Sequence, residues 1–207
     1  MASAFAQDMR RQRAERILEA ATRVASRRGW TAFTIDEVAA AAGVAKGTVY
    51  LHFPGKEALI AAIAESAARQ LTGIVHAEAA GDADPGEQLR QIFRRWRTVS
   101  SRNCAIPALV LCGTTSAMPR DEHRASPLWN TVDELVPLII HAQNSGAIHA
   151  RLNARAVAAV LLGLHLCIAS VAEHPQSEEL ARDAWGLLEQ LLSASTGEIR
   201  ATHEASS

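Results

Sequence analysis

Apolar residues recur along this chain at intervals of three and four positions, which is the spacing of one face of an α-helix. Ile17, Ala20, Ala21 and Val24 form the first such stripe and predict a helix over residues 9–28. No segment shows the sustained alternation of apolar and polar positions, bounded by turn residues, that is typical of a β-strand. The pattern therefore predicts an all-α protein.

Local signals mark the ends of the next two helices. Thr34 and Glu37 have the spacing of a capping box, in which each side chain bonds the other residue's backbone N–H. A second apolar stripe follows, formed by Ile35, Val38, Ala39 and Ala42. Gly43 can adopt the left-handed conformation that a sharp turn requires. A third helix is predicted after it, over 45–53.

Two domains are predicted from this order of helices. Residues 1–55 form a helix-turn-helix domain, because two short helices joined by a tight glycine turn make that motif. A proline–glycine pair precedes a helix over 56–80, which links this head to the body, residues 56–207. Turn-forming residues separate five further helices, predicted over 86–100, 103–117, 126–145, 152–173 and 178–194.

Composition indicates a globular protein with no membrane partner. Hydrophobic residues make up 48% and charged residues 21% of the 207 positions, as is usual for soluble proteins. The longest apolar run, Ala156–Ala172, is at the bottom of the membrane-spanning range and contains two polar residues, so a buried helix explains it better. The N-terminus lacks the apolar stretch of a secretory signal. Cys104, Cys112 and Cys167 form no C-x-x-C pair, so we expect free thiols in the cytoplasm.

Basic charge is concentrated at the N-terminal end. Residues 1–60 hold nine Lys and Arg against six Asp and Glu, whereas the remainder holds twelve against sixteen. Only two of the 21 basic residues are lysines, Lys46 and Lys56, and both lie in the head or next to it. A basic head on an acidic body indicates a polyanionic partner at the head. A chance distribution of solvated charge is the alternative.

The third helix combines two kinds of residue, as a helix that enters the major groove of DNA must. Val49 and Phe53, four positions apart, are predicted to face the core. The other side is polar, small or aromatic and is predicted to face DNA through Lys46, Gly47, Thr48, Tyr50 and His52. Lys56 stands in the first turn of the fourth helix, against the helix dipole, which a bound phosphate would explain. A helical hairpin with solvated polar residues is the alternative.

From Ala20 to Leu59 the sequence AATRVASRRGWTAFTIDEVAAAAGVAKGTVYLHFPGKEAL closely resembles the TetR family of bacterial transcriptional regulators. The resemblance implies a three-helix DNA-binding head and an all-helical body that binds a ligand and forms a dimer. It implies DNA contacts at Thr34, Lys46, Gly47, Thr48, Tyr50, His52 and Lys56. The chain departs from the family at Gly55, where a serine often caps the fourth helix. Glycine is a tolerable cap, at a cost of roughly a few tenths of a kcal/mol.

The body has no catalytic signature: G-x-S-x-G, H-E-x-x-H and a phosphate loop are all absent from the sequence. We therefore expect neither an enzyme nor a bound metal or cofactor. In the resembled family the body helices surround a cavity, which implies pocket residues at Trp96, Cys104, Cys112, Met118, Trp129, His141 and His165. Adaptable apolar side chains with a few polar tips suit a small, mostly apolar ligand. Ordinary core packing is the alternative for each of them.

The last two predicted helices carry more apolar surface than one body can bury. The 152–173 segment is apolar on more than one side, and the final helix adds a stripe of its own. Pairing both helices with their copies in a second chain would form a four-helix dimer interface. The interface residues predicted in this way are Val157, Leu161, Leu164, Leu180, Leu188 and Leu191.

These features together predict a cytoplasmic, homodimeric transcriptional regulator. In its most specific form it is a repressor that a small, mostly apolar effector releases from a palindromic double-stranded operator. A regulator that binds DNA without a ligand is one alternative, which a pocket packed solid with side chains would favour. A helical enzyme with a vestigial head is another, which converging titratable groups in the body would favour.

Overall fold

The computed structural model describes residues 2–102, 127–170 and 176–193 of the chain. All regular secondary structure in these stretches is helical, which confirms the predicted all-α fold. The helices are α1 (Ala2–Arg28), α2 (Ile35–Ala42), α3 (Lys46–His52), α4 (Lys56–Ala79), α5 (Pro85–Arg102), α6 (Pro127–Asn144), α7 (Ala154–Ser170) and α8 (Ser177–Ser193). The helix predicted over 103–117 lies outside the described residues.

Helix α1 begins earlier than the apolar periodicity predicted. Its first turns are rich in alanine, glutamine and arginine, which have high helix propensity. Asp8 also accepts hydrogen bonds from Arg11 Nη2 at 3.1 Å and from Gln12 Nε2 at 2.7 Å, on the next turn. The apolar stripe marks only the part of the helix that packs, since Ile17 is fully buried whereas Phe5 is exposed.

The chain divides inside α4 into two compact units. The first runs from α1 to Gln70, and the second comprises residues 71–101 with the described residues from 128 onward. The predicted head, residues 1–55, lies within the first unit, which also contains the first part of α4. The domain boundary at residue 55 stays a prediction.

Both ends of α2 have the geometry that the sequence predicts. Glu37 N–H donates to Thr34 Oγ1 at 3.3 Å, and Thr34 N–H donates to Glu37 Oε2 at 2.9 Å, which completes the capping box of α2. Gly43 adopts the left-handed conformation, with φ 66° and ψ 37°, and ends the helix. These caps satisfy backbone groups that a helix end leaves open, so α2 stops where α3 can begin.

One apolar core holds the helices of the first unit together. It includes Ile17, Ala20, Ala21 and Ala25 of α1, Val38 and Ala39 of α2, and Phe33, Val49 and Phe53. Burial of a large apolar side chain contributes about 1.5–3 kcal/mol. Val49 is the buried residue of α3 itself. The rest of this short helix is therefore left for contacts at the surface.

The second unit is organised around Trp96 of α5. Its indole N–H donates to Leu71 O of α4 at 2.9 Å, and its side chain is buried. The hydroxyl groups of Thr72 and Thr131, 2.9 Å apart, connect α4 to α6. Helix α6 runs through Pro137 without interruption, so this proline does not divide the helix.

Candidate functional site

Three pairs of residues form the surface of α3 outside its buried anchor. Residues four positions apart lie above one another on a helix, so they pair by column. The columns are Lys46 with Tyr50, Gly47 with Leu51, and Thr48 with His52. The first two columns are exposed and the third is half-buried, while Val49 faces the core. Of the α3 residues predicted to face DNA, Lys46, Gly47 and Tyr50 are therefore exposed, and Thr48 and His52 are half-buried.

An ion pair with α2 holds the ammonium group of Lys46. Its Nζ lies 2.9 Å from Asp36 Oδ2, and this hydrogen bond raises the pKa of Lys46 above its usual value. Both side chains are exposed, so the pair contributes little to stability. Lys46 therefore keeps its positive charge at the surface and can exchange the carboxylate for another anion at little cost.

Thr34, a predicted DNA contact, is engaged in the cap of α2. Its hydroxyl accepts the Glu37 N–H and also lies 3.1 Å from Glu37 Oε2. Hydrogen bonds from the backbone N–H and the hydroxyl of Thr34 lower the pKa of Glu37, and Arg28, whose Nε is 2.9 Å from that carboxylate, lowers it further. Thr34 thus has a clear structural role, and its contact with DNA stays a prediction.

Lys56 also has partners inside the first unit. Its Nζ donates to Thr31 O at 2.6 Å and to Phe33 O at 2.8 Å, and it lies 4.4 Å from the centre of the Phe33 ring. These contacts account for a lysine at the start of α4 without a bound phosphate, which differs from the explanation drawn from the sequence. A DNA contact by Lys56 stays a prediction.

Leu51 belongs to the exposed surface of α3, although the apolar periodicity did not single it out. Its side chain is 76% exposed. It lies one turn from Gly47, where an added Cβ would meet no atom within 4 Å. The available signal was an apolar residue two positions off the Val49–Phe53 stripe. An apolar side chain at such a position can contact thymine methyl groups in the major groove.

An aromatic cluster lies in the second unit and consists of the buried residues Phe93, Trp96 and His165 and the half-buried Trp185. The ring centres of Trp96 and His165 are 5.2 Å apart, and those of Phe93 and Trp185 are 4.9 Å apart. Phe93 meets His165 edge-on, with a centre distance of 6.2 Å. The three helices α5, α7 and α8 therefore meet through aromatic rings.

Two nitrogens of this cluster carry unused hydrogen-bonding capacity. His165 Nε2 lies 3.0 Å from Ser100 Oγ. Among the described residues, the buried side-chain atoms without a hydrogen-bond partner are His165 Nδ1 and Trp185 Nε1. An unsatisfied buried polar atom costs about 1–3 kcal/mol, so each needs an explanation.

His165 is neutral at neutral pH. Burial lowers its pKa to about 4, and the positive charge of Arg97 acts in the same direction. The imidazole therefore has one N–H and one acceptor nitrogen, and the bond with Ser100 occupies Nε2. This leaves Nδ1 as a polar atom within an otherwise aromatic environment.

Of the predicted pocket residues, Trp96 and His165 lie together in the structure. The other two that are described, Trp129 and His141, do not join them. Trp129 is 48% exposed and lies 5.1 Å from the Arg155 guanidinium, and His141 is exposed. Both fall outside the buried stripe of α6, which is formed by Thr131, Val132, Leu135, Leu138, Ile139 and Ala142. Of the remaining predicted pocket residues, Cys104, Cys112 and Met118 lie outside the described part of the chain.

Most of the predicted dimer residues face their own chain. Val157, Leu161 and Leu188 are buried. Leu164 is half-buried against a cluster that includes Phe93, Ile168 and Ala181, and the side chain of Leu191 lies outside the described residues. Among the predicted residues whose side chains are described, Leu180 alone is exposed. The large apolar side chains exposed among the described residues of α7 and α8 are Val160 (56%), Leu180 (49%) and Leu187 (61%). The dimer interface itself stays a prediction.

One described helix, α4, is long and apolar enough to cross a membrane by length and composition. Its buried residues include Leu59, Ile63, Leu71 and Val75, as expected of a core helix in a globular protein. Helix α7, which contains residues 156–170 of the apolar run noted in the sequence, is shorter. No group of three or more His, Cys, Asp or Glu side chains suited to a metal ion occurs among the described residues.

Comparison with known proteins places the first unit among bacterial regulators. Residues 17–63 match the family described as "Bacterial regulatory proteins, tetR family". YvdT of Bacillus subtilis, an uncharacterized HTH-type transcriptional regulator, is 31% identical over 118 residues, which are 57% of this chain and 58% of YvdT. The HTH-type transcriptional repressor Rv3405c of Mycobacterium tuberculosis is 37% identical over 73 residues, which are 35% of this chain and 39% of Rv3405c. The matches thus span less than two thirds of these relatives.

Solved structures extend the similarity in fold to most of the chain. AibR in complex with isovaleryl coenzyme A and operator DNA is 24% identical, covers 87% of this chain and 98% of its own, and gives a TM-score of 0.67. A γ-butyrolactone receptor (ArpA-like protein) is 23% identical, with 87% of each chain covered and a TM-score of 0.68. FadR of Bacillus subtilis, in complex with stearoyl-CoA, is 20% identical, with coverage of 87% and 98% and a TM-score of 0.69.

Proposed function

Because the chain belongs to the tetR family of bacterial regulatory proteins, we propose that it is a cytoplasmic, homodimeric repressor of transcription. It binds a palindromic DNA operator through α3, and a small ligand releases it. The observation that carries this proposal is the exposed side of α3, with Lys46, Gly47, Tyr50 and Leu51 on it and Val49 anchoring the opposite side.

The chemistry of this exposed side suits the major groove. The Lys46 ammonium can leave the Asp36 carboxylate for a phosphate or a base edge, and the Tyr50 hydroxyl can donate to a phosphate. The open space at Gly47 allows a nucleic-acid backbone to come close. Leu51 adds an apolar surface for a thymine methyl group. A cation, a hydroxyl, an open position and an apolar side chain thus lie together on one short helix.

Dimerisation is proposed through the exposed apolar side chains Val160, Leu180 and Leu187 of α7 and α8. These helices already pack on each other within the chain, near Ile168 and Ala181, so their outer sides can pair with a second copy. A twofold axis between the copies requires a palindromic operator, with half-sites one or a few turns of DNA apart.

The ligand is proposed to bind at the aromatic cluster of Phe93, Trp96, His165 and Trp185. Trp185 Nε1 is a donor without a partner and His165 Nδ1 is unpaired, so an oxygen-bearing ligand would satisfy hydrogen bonds that the described residues leave open. The surrounding rings favour a mostly apolar molecule. The γ-butyrolactone and acyl-CoA ligands named for the structural neighbours each contain a carbonyl group, which is the chemistry expected here.

Selection from random double-stranded DNA with the full chain tests the DNA-binding function. We expect enrichment of two inverted half-sites whose centres are separated by about 10 base pairs or a small multiple of that. Nuclease footprinting on the selected sequence should then protect both half-sites together. Recovery of no common sequence, or of a single half-site protected alone, would contradict the proposal.

Replacing His165 with leucine is expected to weaken the response to ligand while operator binding without ligand is retained. The probes are a γ-butyrolactone, isovaleryl-CoA and stearoyl-CoA, scored by release of the selected operator. Loss of one hydrogen bond in a buried site should raise the required concentration about tenfold. The control, Trp129→Leu, alters a half-exposed aromatic residue of α6 and should respond like the wild type. Equal responses of wild type and His165→Leu would rule out His165 as a ligand contact.

A further inference from the structure

Two arginines near the start of α1 lie on the side of that helix that faces the rest of the first unit. Ile17 is fully buried on this side. Arg13 and Arg10 precede it by four and seven positions, which on a helix places them in the same stripe. Arg16 Nη2 donates to Ala42 O at the end of α2, at 3.4 Å, and so ties α1 to α2 just beyond Arg13. The two arginines therefore extend the packed side of α1 past the core.

These arginines are next to the end of α3. The pKa of His52, the last residue of α3, is lowered by burial and then by the positive charges of Arg10 and Arg13. Both guanidinium groups are thus close enough to His52 to act on its protonation. His52 is half-buried and directly follows Leu51, which belongs to the exposed side of α3 that is proposed to contact DNA. The basic end of α1 and the proposed DNA-binding surface are therefore neighbours.

The charge of these two arginines is not neutralised within the unit. Arg10 and Arg13 are exposed, and neither forms an ion pair with a carboxylate of the described residues. Arg11, between them in sequence, lies on another side of α1 and is paired with Asp8 at 3.1 Å and Glu15 at 3.9 Å. Arg10 and Arg13 can therefore bind an anion, whereas Arg11 is already paired with carboxylates.

We propose that Arg10 and Arg13 bind phosphates of the DNA backbone flanking the bases read by α3, so that α1 is a second DNA-contacting element. This inference rests on the proposed DNA-binding function. The guanidinium group suits the contact because its planar set of donors matches phosphate oxygens. The contacts strengthen binding without reading sequence, since phosphates are the same at every position.

The test compares Arg10→Gln/Arg13→Gln with Arg11→Gln on the selected operator, by fluorescence anisotropy across a range of salt concentrations. Glutamine keeps the helix propensity close to that of arginine. Each lost phosphate contact reduces the magnitude of the slope of log K against log salt by about 0.9, and the proposed dimer carries each arginine twice, so the magnitude should fall by about 3.6 in the double variant. Its affinity should be weaker by a factor on the order of 10⁴ near 50 mM salt, and this difference should narrow as salt rises. Arg11→Gln should keep the wild-type slope.

A single variant of each arginine, Arg10→Gln or Arg13→Gln, should lose about half of that slope. Ethylation of individual phosphates should also interfere with wild-type binding at flanking positions, and this interference should disappear in the double variant. A double variant with the wild-type slope would overturn the inference. An Arg11→Gln variant whose slope falls as much for each charge removed would also overturn it, because long-range charge alone would then explain the effect. In both cases the wild type still binds its operator, so the proposed function stands. If the wild type selects no DNA, both fall together.

Discussion

Replacing Val160 and Leu187 together with glutamate is expected to give a folded monomer that no longer binds its operator tightly. Both side chains are exposed, at 56% and 61%, so the substitutions leave the core of the second unit untouched. Within a dimer, however, each glutamate would place a charge in an apolar interface, and the twofold axis would double the number of buried charges. Loss of the second head should weaken operator binding about 100-fold or more, because the two half-sites are then bound independently.

Sedimentation velocity at micromolar concentration measures the first effect, and operator titration measures the second. Ile140→Glu is the matched control, because Ile140 is also an exposed apolar residue but lies on α6. This control should remain a dimer with wild-type affinity. Circular dichroism should show the same helix content for all three proteins. A double variant that sediments as a dimer would refute the interface on α7 and α8.

The structure changes which substitutions can test dimerisation. Leu161 and Leu188 were predicted from the sequence to lie in the interface, but both are buried in their own chain. A charge at Leu161 would therefore destabilise the fold, since an unpaired buried charge is costly, and would yield aggregates whether or not the protein is a dimer. Periodicity identified the apolar helices correctly. It could not tell which apolar side faces its own chain, because α7 is apolar on several sides.

Features set by local interactions were predicted well from the sequence. The capping box of Thr34 and Glu37 and the left-handed Gly43 depend on residues within a few positions of each other, and both are present in the structure. The contacts of Lys56 show the opposite case. Its carbonyl partners are 25 and 23 residues away in the chain, so no local pattern could reveal them. The hydrogen bond of His165 with Ser100, 65 residues away, is equally non-local.

Tyr50→Ala is expected to weaken operator binding by about 1–3 kcal/mol, or about 5- to 150-fold, without loss of fold. Tyr50 is 45% exposed, on the side of α3 away from the anchor Val49, so its side chain contributes more to a partner than to the core. Tyr50→Phe separates the two parts of the side chain. If the hydroxyl donates to a phosphate, Tyr50→Phe should show most of the loss in affinity seen in Tyr50→Ala. If the ring makes a stacking or apolar contact, Tyr50→Phe should bind nearly as tightly as the wild type.

Gly47→Ala sharpens the same test, because stability and DNA binding should move in opposite directions. An added Cβ at this position meets no atom of the described chain within 4 Å. Alanine in place of an exposed helical glycine should therefore stabilise the fold, by about 0.5–1 kcal/mol, measured by urea unfolding. On the operator the same methyl group should obstruct the close approach of DNA and weaken binding, measured by fluorescence anisotropy at two salt concentrations. Wild-type affinity in both Tyr50→Ala and Gly47→Ala would show that the exposed side of α3 is not the surface that binds DNA.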